Sequence, residues 1–297
     1  IDELLPAITN TYREIENELQ INCLHEKELT WFFPAIDILQ SFDKRITEKT
    51  DYLTENSDPS ALSYFNYPYK SGNVKPTYVV DVQKVLSALR RSMNDEGRIM
   101  KEHFDYNELK FPGGKVVYKS AMADKIIFCE GYGAVDNPWF SQLPFSLNKG
   151  EALILEIEDL PKENIYKFRQ TLVPLPDENL WWYGSNYLWD FEDELPTKEY
   201  REGSEAELNA WLKIPYKVVD HKAAVRYATV ERRPFIGFHP VQTQIGIFNG
   251  WGTKGCSLVP YFAERFAEHI VKGRPLSSDV DVNRFIQILT AKARREP

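Results

Sequence analysis

Apolar residues recur at intervals of three and four almost from the first position. Leu4, Leu5, Ile8, Tyr12, Ile15 and Leu19 share one face of a helix read over residues 3–20. Residues 45–78 lose that rhythm. They are polar and turn-rich, with Tyr64, Tyr67 and Tyr69 set among prolines and glycines, and read as an irregular excursion of strands and loops. Periodicity returns at Val79-Val80. Asp81 has the short carboxylate that suits a helix N-cap. Val82, Val85, Leu86, Leu89 and Met93 then mark one helical face, which Asn94-Asp95-Glu96-Gly97 ends. An extended run from Arg98-Ile99-Met100 follows, then a Gly113-Gly114 turn into Val116-Val117-Tyr118 and a buried strand over residues 125–129.

Beyond residue 150 the pattern shortens to alternation. Residues 152–157, 167–172, 180–187 and 216–223 read as antiparallel strands, interrupted by a helix near 204–213. A strand over 244–248 and an amphipathic helix over 256–272 close the pattern. The fold class read from this order is α/β, an α+β mixture. It comprises a partial, discontinuous Rossmann-like domain (79–140 and 228–297) and an inserted antiparallel-sheet substrate domain that includes the N-terminal helix (1–78 and 141–227).

With 36 Lys and Arg against 44 Asp and Glu, the net charge of −8 disfavours a nucleic-acid partner. The 16 Tyr, 17 Phe and 7 Trp fall in clusters that suit either core packing or a flat ligand. Cys23, Cys129 and Cys256 are odd in number and form no CxxC pair, which points to a reducing compartment and a cytoplasmic location. No apolar run reaches the ~18 residues of a membrane span, and no leader is visible. Oligomeric state leaves no signature.

The sharpest local signal is Gly250-Trp251-Gly252-Thr253-Lys254-Gly255, between a strand and a helix. It matches GxGxxG in form, yet a dinucleotide fingerprint needs a second strand with an acidic residue about 20 positions on, and Pro260 is atypical in such a helix. A loop for close approach of another ligand, with a helix N-terminus behind it, fits the context better, and a purely structural turn stays open. The five histidines are scattered and form no HxxxH or Cys/His cluster, so no metal site is expected. A GxSxG elbow and a P-loop are also missing.

Glu231-Arg232-Arg233-Pro234-Phe235-Ile236-Gly237, residues 249–255, and Pro260-Tyr261-Phe262-Ala263-Glu264 occur in that order. Together they resemble the closing stretch of FAD-dependent oxidoreductases of the D-amino-acid oxidase-like family, glycine and sarcosine oxidases among them. In that family DRRPFIG leads to a strand, a GxGxKG loop and a helix with PYxAE. The family's CEGYGA strand end is matched at residues 129–134, and Val79–Val82 loosely echoes the segment before a Rossmann helix. The resemblance runs from about residue 79 to the end.

The resemblance implies that Gly250, Gly252, Thr253, Lys254 and Gly255 lie against the pyrimidine side of a flavin. There a helix N-terminus would stabilise negative charge on the reduced ring. Lys254 taken alone reads equally as a solvated lysine. Gly131, Gly133 and Ala134 would lie near the FAD phosphates or ribitol, or form a plain strand-to-loop turn. Arg226 stands at the RPxT position whose arginine grips a substrate carboxylate, with Tyr227 in place of the proline; the competing reading is a surface or salt-bridged arginine. Tyr183 and Tyr187 lie on a strand that supplies pocket side chains, although a core aromatic role competes for each. Some sarcosine-oxidase-like members use a lysine on this strand to promote reaction with oxygen, and none occurs over 168–197, which counts against a direct oxidase and leaves a dehydrogenase open. No cysteine lies near Arg226, so the FAD is expected to be non-covalent.

The implied function is an FAD-dependent oxidoreductase that oxidises a small amine or amino acid by hydride transfer. The alternatives are the flavin domain of a tRNA-modifying relative and a non-catalytic ligand-binding relative. The strand, GxGxxG turn and helix that hold the ADP moiety in the family find no match before residue 79. The chain by itself is therefore expected to bind FAD weakly and to purify colourless.

Overall fold

In the computed structural model the described residues are 3–48, 51–56, 60–177 and 179–293. The chain runs α1 (Leu4–Leu19), β1 (Leu24–Phe32), α2 (Ile36–Thr47), β2 (Leu53–Glu55), α3 (Ala61–Tyr64), β3 (Ser71–Val80) and α4 (Val82–Asp95). It continues through β4 (Leu109–Lys110), β5 (Val116–Tyr118), β6 (Ala121–Ala123), β7 (Ile126–Phe128), β8 (Phe145–Glu156), β9 (Asn164–Lys167), β10 (Thr171–Pro174) and β11 (Leu180–Gly184). Last come α5 (Lys198–Trp211), β12 (Lys217–Thr229), β13 (Phe235–Phe238), β14 (Ile245–Asn249), α6 (Gly255–Lys272) and α7 (Ile286–Ala293). The mixture of helices and sheets is the α/β class that the pattern predicted. Two compact units divide the chain: residues 1–19, 86–148 and 225–297 form the first, and residues 20–85 and 149–224 the second.

The first unit is built on the three-stranded sheet β13-β14-β7, in which β14 runs parallel to β7 and antiparallel to β13. Side chains alternate across it as a pleated sheet requires. Phe128, Phe235, Ile245 and Ile247 face a core shared with Val116 and Tyr118 of the β4-β5-β6 meander and with Phe140, Val282 and Leu289. Ile127, Ile236 and Phe248 face the opposite way, onto Phe262 and Phe266 of α6. Each buried aromatic in these layers contributes about 1.5–3 kcal/mol by leaving water.

α1 belongs to this unit and carries one contact of note. Pro260 inside α6 has no N–H to give to the carbonyl four residues earlier, that of Cys256. The Tyr12 hydroxyl donates to that carbonyl at 2.8 Å, so the proline flagged as atypical is compensated by a side chain from α1.

In the second unit the sheet order is β12-β8-β11-β10-β9-β1-β3-β2, with the far ends of β8 and β12 belonging to the first unit. From β8 to β2 the neighbours pair antiparallel except for β1 with β9, so the expected antiparallel sheet holds there with one parallel junction. Leu153, Leu155, Tyr166, Leu172, Trp181 and Tyr183 pack against Leu208 and Trp211 of α5. Thr197 caps α5, its hydroxyl accepting from the Tyr200 N–H at 3.3 Å and donating to the fully buried Glu151 carboxylate at 2.9 Å.

The strand read over 167–172 straddles a turn. β9 and β10 are antiparallel neighbours, and the Phe168 N–H meets the Gln170 carbonyl at 3.0 Å between them. The run Arg98-Ile99-Met100 is not a strand. The segment 45–78, read as strands and loops, contains β2, α3 and most of β3, which runs on to Val80; its residues 49–50 and 57–59 lie outside the described residues.

Candidate active site

Because β7 and β14 are parallel neighbours, their carboxyl ends open on the same sheet edge, where α/β folds place their ligands. β7 runs out into the 3₁₀ turn Gly131–Asp136, and Gly131 has φ +55°. From the end of β14 the chain passes through Gly250, with φ +88°, and Gly252, with φ +54°. Asn249, 3% exposed, fastens the two segments: its Nδ2 donates to the Gly131 carbonyl at 3.0 Å, and its Oδ1 accepts from the Gly250 N–H at 2.8 Å.

The end of β12 meets the same loop. A Cβ built on Gly250 would lie 2.6 Å from Thr229 Cγ2, and one on Gly252 would lie 3.2 Å from the Ala228 Cβ. Glycine at 250 is thus demanded from within the protein, by its own conformation and by the nearness of the Thr229 methyl. Thr229 is pinned in turn, its hydroxyl donating to the Arg233 carbonyl at 2.7 Å and accepting from the Arg233 N–H at 3.0 Å.

A 3₁₀ turn, Gly252–Lys254, leads into α6, and no side chain caps either start. The Lys254 N–H is taken by the Trp251 carbonyl at 3.0 Å, and what the 18-residue helix presents at this edge is its positive dipole end. Thr253 and Lys254 are exposed there, and Gly252 and Gly255 half-buried. On the other segment Gly133 is exposed and Ala134 buried.

Beside Gly131 stands a cluster that sequence reading missed. The Tyr106 hydroxyl donates to the Glu130 carboxylate, which also accepts from Asn137 Nδ2 at 2.8 Å. Asn137 is fully buried, and its Oδ1 accepts the N–H groups of Trp139 and Phe140 at 2.9 and 3.1 Å. The buried Tyr227 hydroxyl has no hydrogen-bond partner among the described residues. Burial first, and then the charge of Glu130, raise the Tyr106 and Tyr227 phenols well above their usual range, so both stay protonated. Signals for this cluster were faint: Glu130 was visible only as part of a strand end, and Tyr106 lies 24 positions away.

Arg226 lies three residues before Thr229 on β12, half-buried, and its Nη1 donates to Asn148 Oδ1 at 2.9 Å. Tyr227 stacks on Phe145 with ring centroids 4.0 Å apart, and Phe145 meets Phe235 at 4.9 Å. Gly131, Gly133, Ala134, Gly250, Gly252, Thr253, Lys254, Gly255 and Arg226 all fall in the first unit.

Tyr183 and Tyr187 fall in the second unit. Tyr183 has no exposed surface and donates its hydroxyl to Glu207 on α5, so it is a core residue of that unit; burial, more than the nearby Glu207, raises its phenol. Tyr187, just beyond β11, is 56% exposed. By alternation Trp182, half-buried, occupies the sheet face opposite Tyr183 and α5. Period-two alternation was the signal that separates Trp182 from Tyr183, and it needed one fixed core partner to set its phase.

No helix among the described residues is long and apolar enough to cross a membrane. The model of the FAD dependent oxidoreductase family matches residues 5–269. Glycine oxidase from Geobacillus kaustophilus is similar in fold, with a TM-score of 0.73 and 15% identity over 92% of this chain and 79% of that one. Iminodiacetate oxidase from Chelativorans sp. BNC1 gives a TM-score of 0.75 and 16% identity, covering 94% of this chain and 84% of that one. L-Proline dehydrogenase from P. horikoshii gives 0.71 and 12%, covering 98% and 83%. At such identities the structural likeness speaks to fold. Joined to the family match over residues 5–269, it leads to one conclusion: the chain belongs to the FAD-dependent oxidoreductase family and is a flavin enzyme.

Proposed function

We propose that this enzyme oxidises a small amine or amino acid by hydride transfer to its flavin, with Arg226 gripping the substrate carboxylate. One observation carries the reading: the turn after β7, the loop after β14 and the Arg226 end of β12 meet at one edge of one unit. The residues there fit FAD. The chain passes through two positive-φ glycines in the loop, and the start of α6 has no side-chain cap to compete with an electron-rich group.

Gly250, Gly252, Thr253, Lys254 and Gly255 would hold the pyrimidine edge, and Gly131, Gly133 and Ala134 the ribitol–phosphate chain. In this reading the first unit is the cofactor domain and also carries Arg226. FAD supplies the hydride acceptor. The protein supplies position: Arg226 orients the substrate through paired charge-assisted hydrogen bonds, which holds its reacting C–H in place.

The test is anaerobic mixing of the FAD-loaded protein with a panel of small amines and amino acids, followed through flavin absorbance. Bleaching by at least one amino acid is expected. Arg226→Ala should raise its KM on the order of 10²-fold, the worth of two charge-assisted bonds, while an amine without a carboxylate is unaffected. Bound flavin that no member of the panel bleaches would overturn the amine and amino-acid reading.

A further inference from the structure

We infer that Asn148 is a positioning residue that fixes the orientation of the Arg226 guanidinium for a carboxylate ligand without neutralising it. The inference deepens the proposed function and rests on it.

Asn148 lies near the start of β8, only 2% exposed, and its Oδ1 accepts from Arg226 Nη1 at 2.9 Å. An arginine has donors only, so the carboxamide must turn its oxygen toward the guanidinium. A buried amide at this distance restricts the arginine's rotamers and uses part of a five-donor fork. Its neutrality is what matters chemically. A carboxylate here would orient Arg226 equally well and would also compete, as a resident anion, for the charge that an incoming carboxylate needs. The acceptor itself is held firmly. One residue along from Arg226, Tyr227 stacks on Phe145, three residues before Asn148, and the Val230 N–H donates to the Pro144 carbonyl at 3.0 Å. Both ties hold the two strands together on one side of the Asn148–Arg226 contact, within four residues of it, which limits how far acceptor and guanidinium can drift apart.

The experiment is calorimetric titration of the FAD-loaded protein with cyclopentanecarboxylate and with its neutral isostere cyclopentanecarboxamide. Neither has an amine to oxidise, so the readout is binding and not turnover. The wild-type protein is expected to prefer the carboxylate. Asn148→Leu should reduce that preference about tenfold and leave amide affinity unchanged. Asn148→Asp keeps the acceptor oxygen and should lower carboxylate affinity at least as far.

A merely structural role for Asn148 gives the opposite order, with Asn148→Asp near wild type, and that result overturns the inference. It fails equally if Arg226→Ala abolishes the preference while both Asn148 variants keep it. If the wild type shows no preference, or Arg226→Ala leaves it intact, the carboxylate grip itself is lost and the proposal falls with it.

Discussion

Arg232 adopts φ +56°, in the left-handed region that costs an L-residue roughly 1–2 kcal/mol. It turns the chain between β12 and β13, its N–H meeting the Thr229 carbonyl at 3.0 Å. Arg232→Gly should raise stability by about 0.5–1 kcal/mol, read as a higher denaturation midpoint at unchanged slope. His239 sets a second expectation. It is 5% exposed, and its Nδ1 accepts the N–H groups of Val241 and Gln242 at 3.3 and 3.1 Å. Burial holds its pKa below the usual value, against the opposing pull of the Leu289 backbone. The unfolded chain therefore takes up the proton first. Stability is full above the unfolded value of about 6.5 and falls as pH drops below it. His239→Asn, which keeps an acceptor that does not titrate, should flatten that acid slope in melts recorded across the pH range; an unchanged slope would refute the assignment. At this scale legibility was uneven. Arg226 stood out through its place in a family segment and its guanidinium chemistry, whereas Asn148 fell before the strand read over 152–157 and its partner lies 78 positions away.

The elements with strong periodicity were read closely. The helix expected over 3–20 is Leu4–Leu19, the one over 256–272 is Gly255–Lys272, and Asp81 does cap α4, accepting from the Lys84 N–H at 3.0 Å. α5 was read as only 204–213 because its first turn, with Lys198, Glu199, Arg201 and Glu202, carries no apolar rhythm; Thr197 starts the helix instead. β1 and α2 were passed over, and the turn inside 167–172 was hidden because Phe168 and Leu172 imitate strand alternation across it. The bond from Tyr12 to Cys256 belongs to this scale, since it spans 244 positions and joins two helices. Tyr12→Phe leaves the carbonyl that Pro260 cannot serve without its donor. It should cost about 1 kcal/mol, with faster amide exchange in the first two turns of α6 as the specific sign; a loss of stability spread evenly over the chain would argue against that account.

For the whole molecule, family membership was legible from the order of several modest motifs, each ambiguous alone. How the loops close on one another was not, because that depends on strand pairing between distant segments: Ile126 pairs with Ile245, and Gly114 receives a bond from Gln244. A fourth expectation follows. FAD at 100 times its Kd should stabilise the protein by about 2.7 kcal/mol, and amide-exchange protection should concentrate at residues 131–136 and 249–258. Protection confined to the second unit would contradict the assignment. The Asn249 carboxamide gives that experiment a further meaning. One planar group grips backbone from both segments, so neither can shift without dragging the other. Exchange rates at Gly131 and Gly250 should therefore rise and fall together across temperatures and ligands, and Asn249→Ala should let the two drift apart.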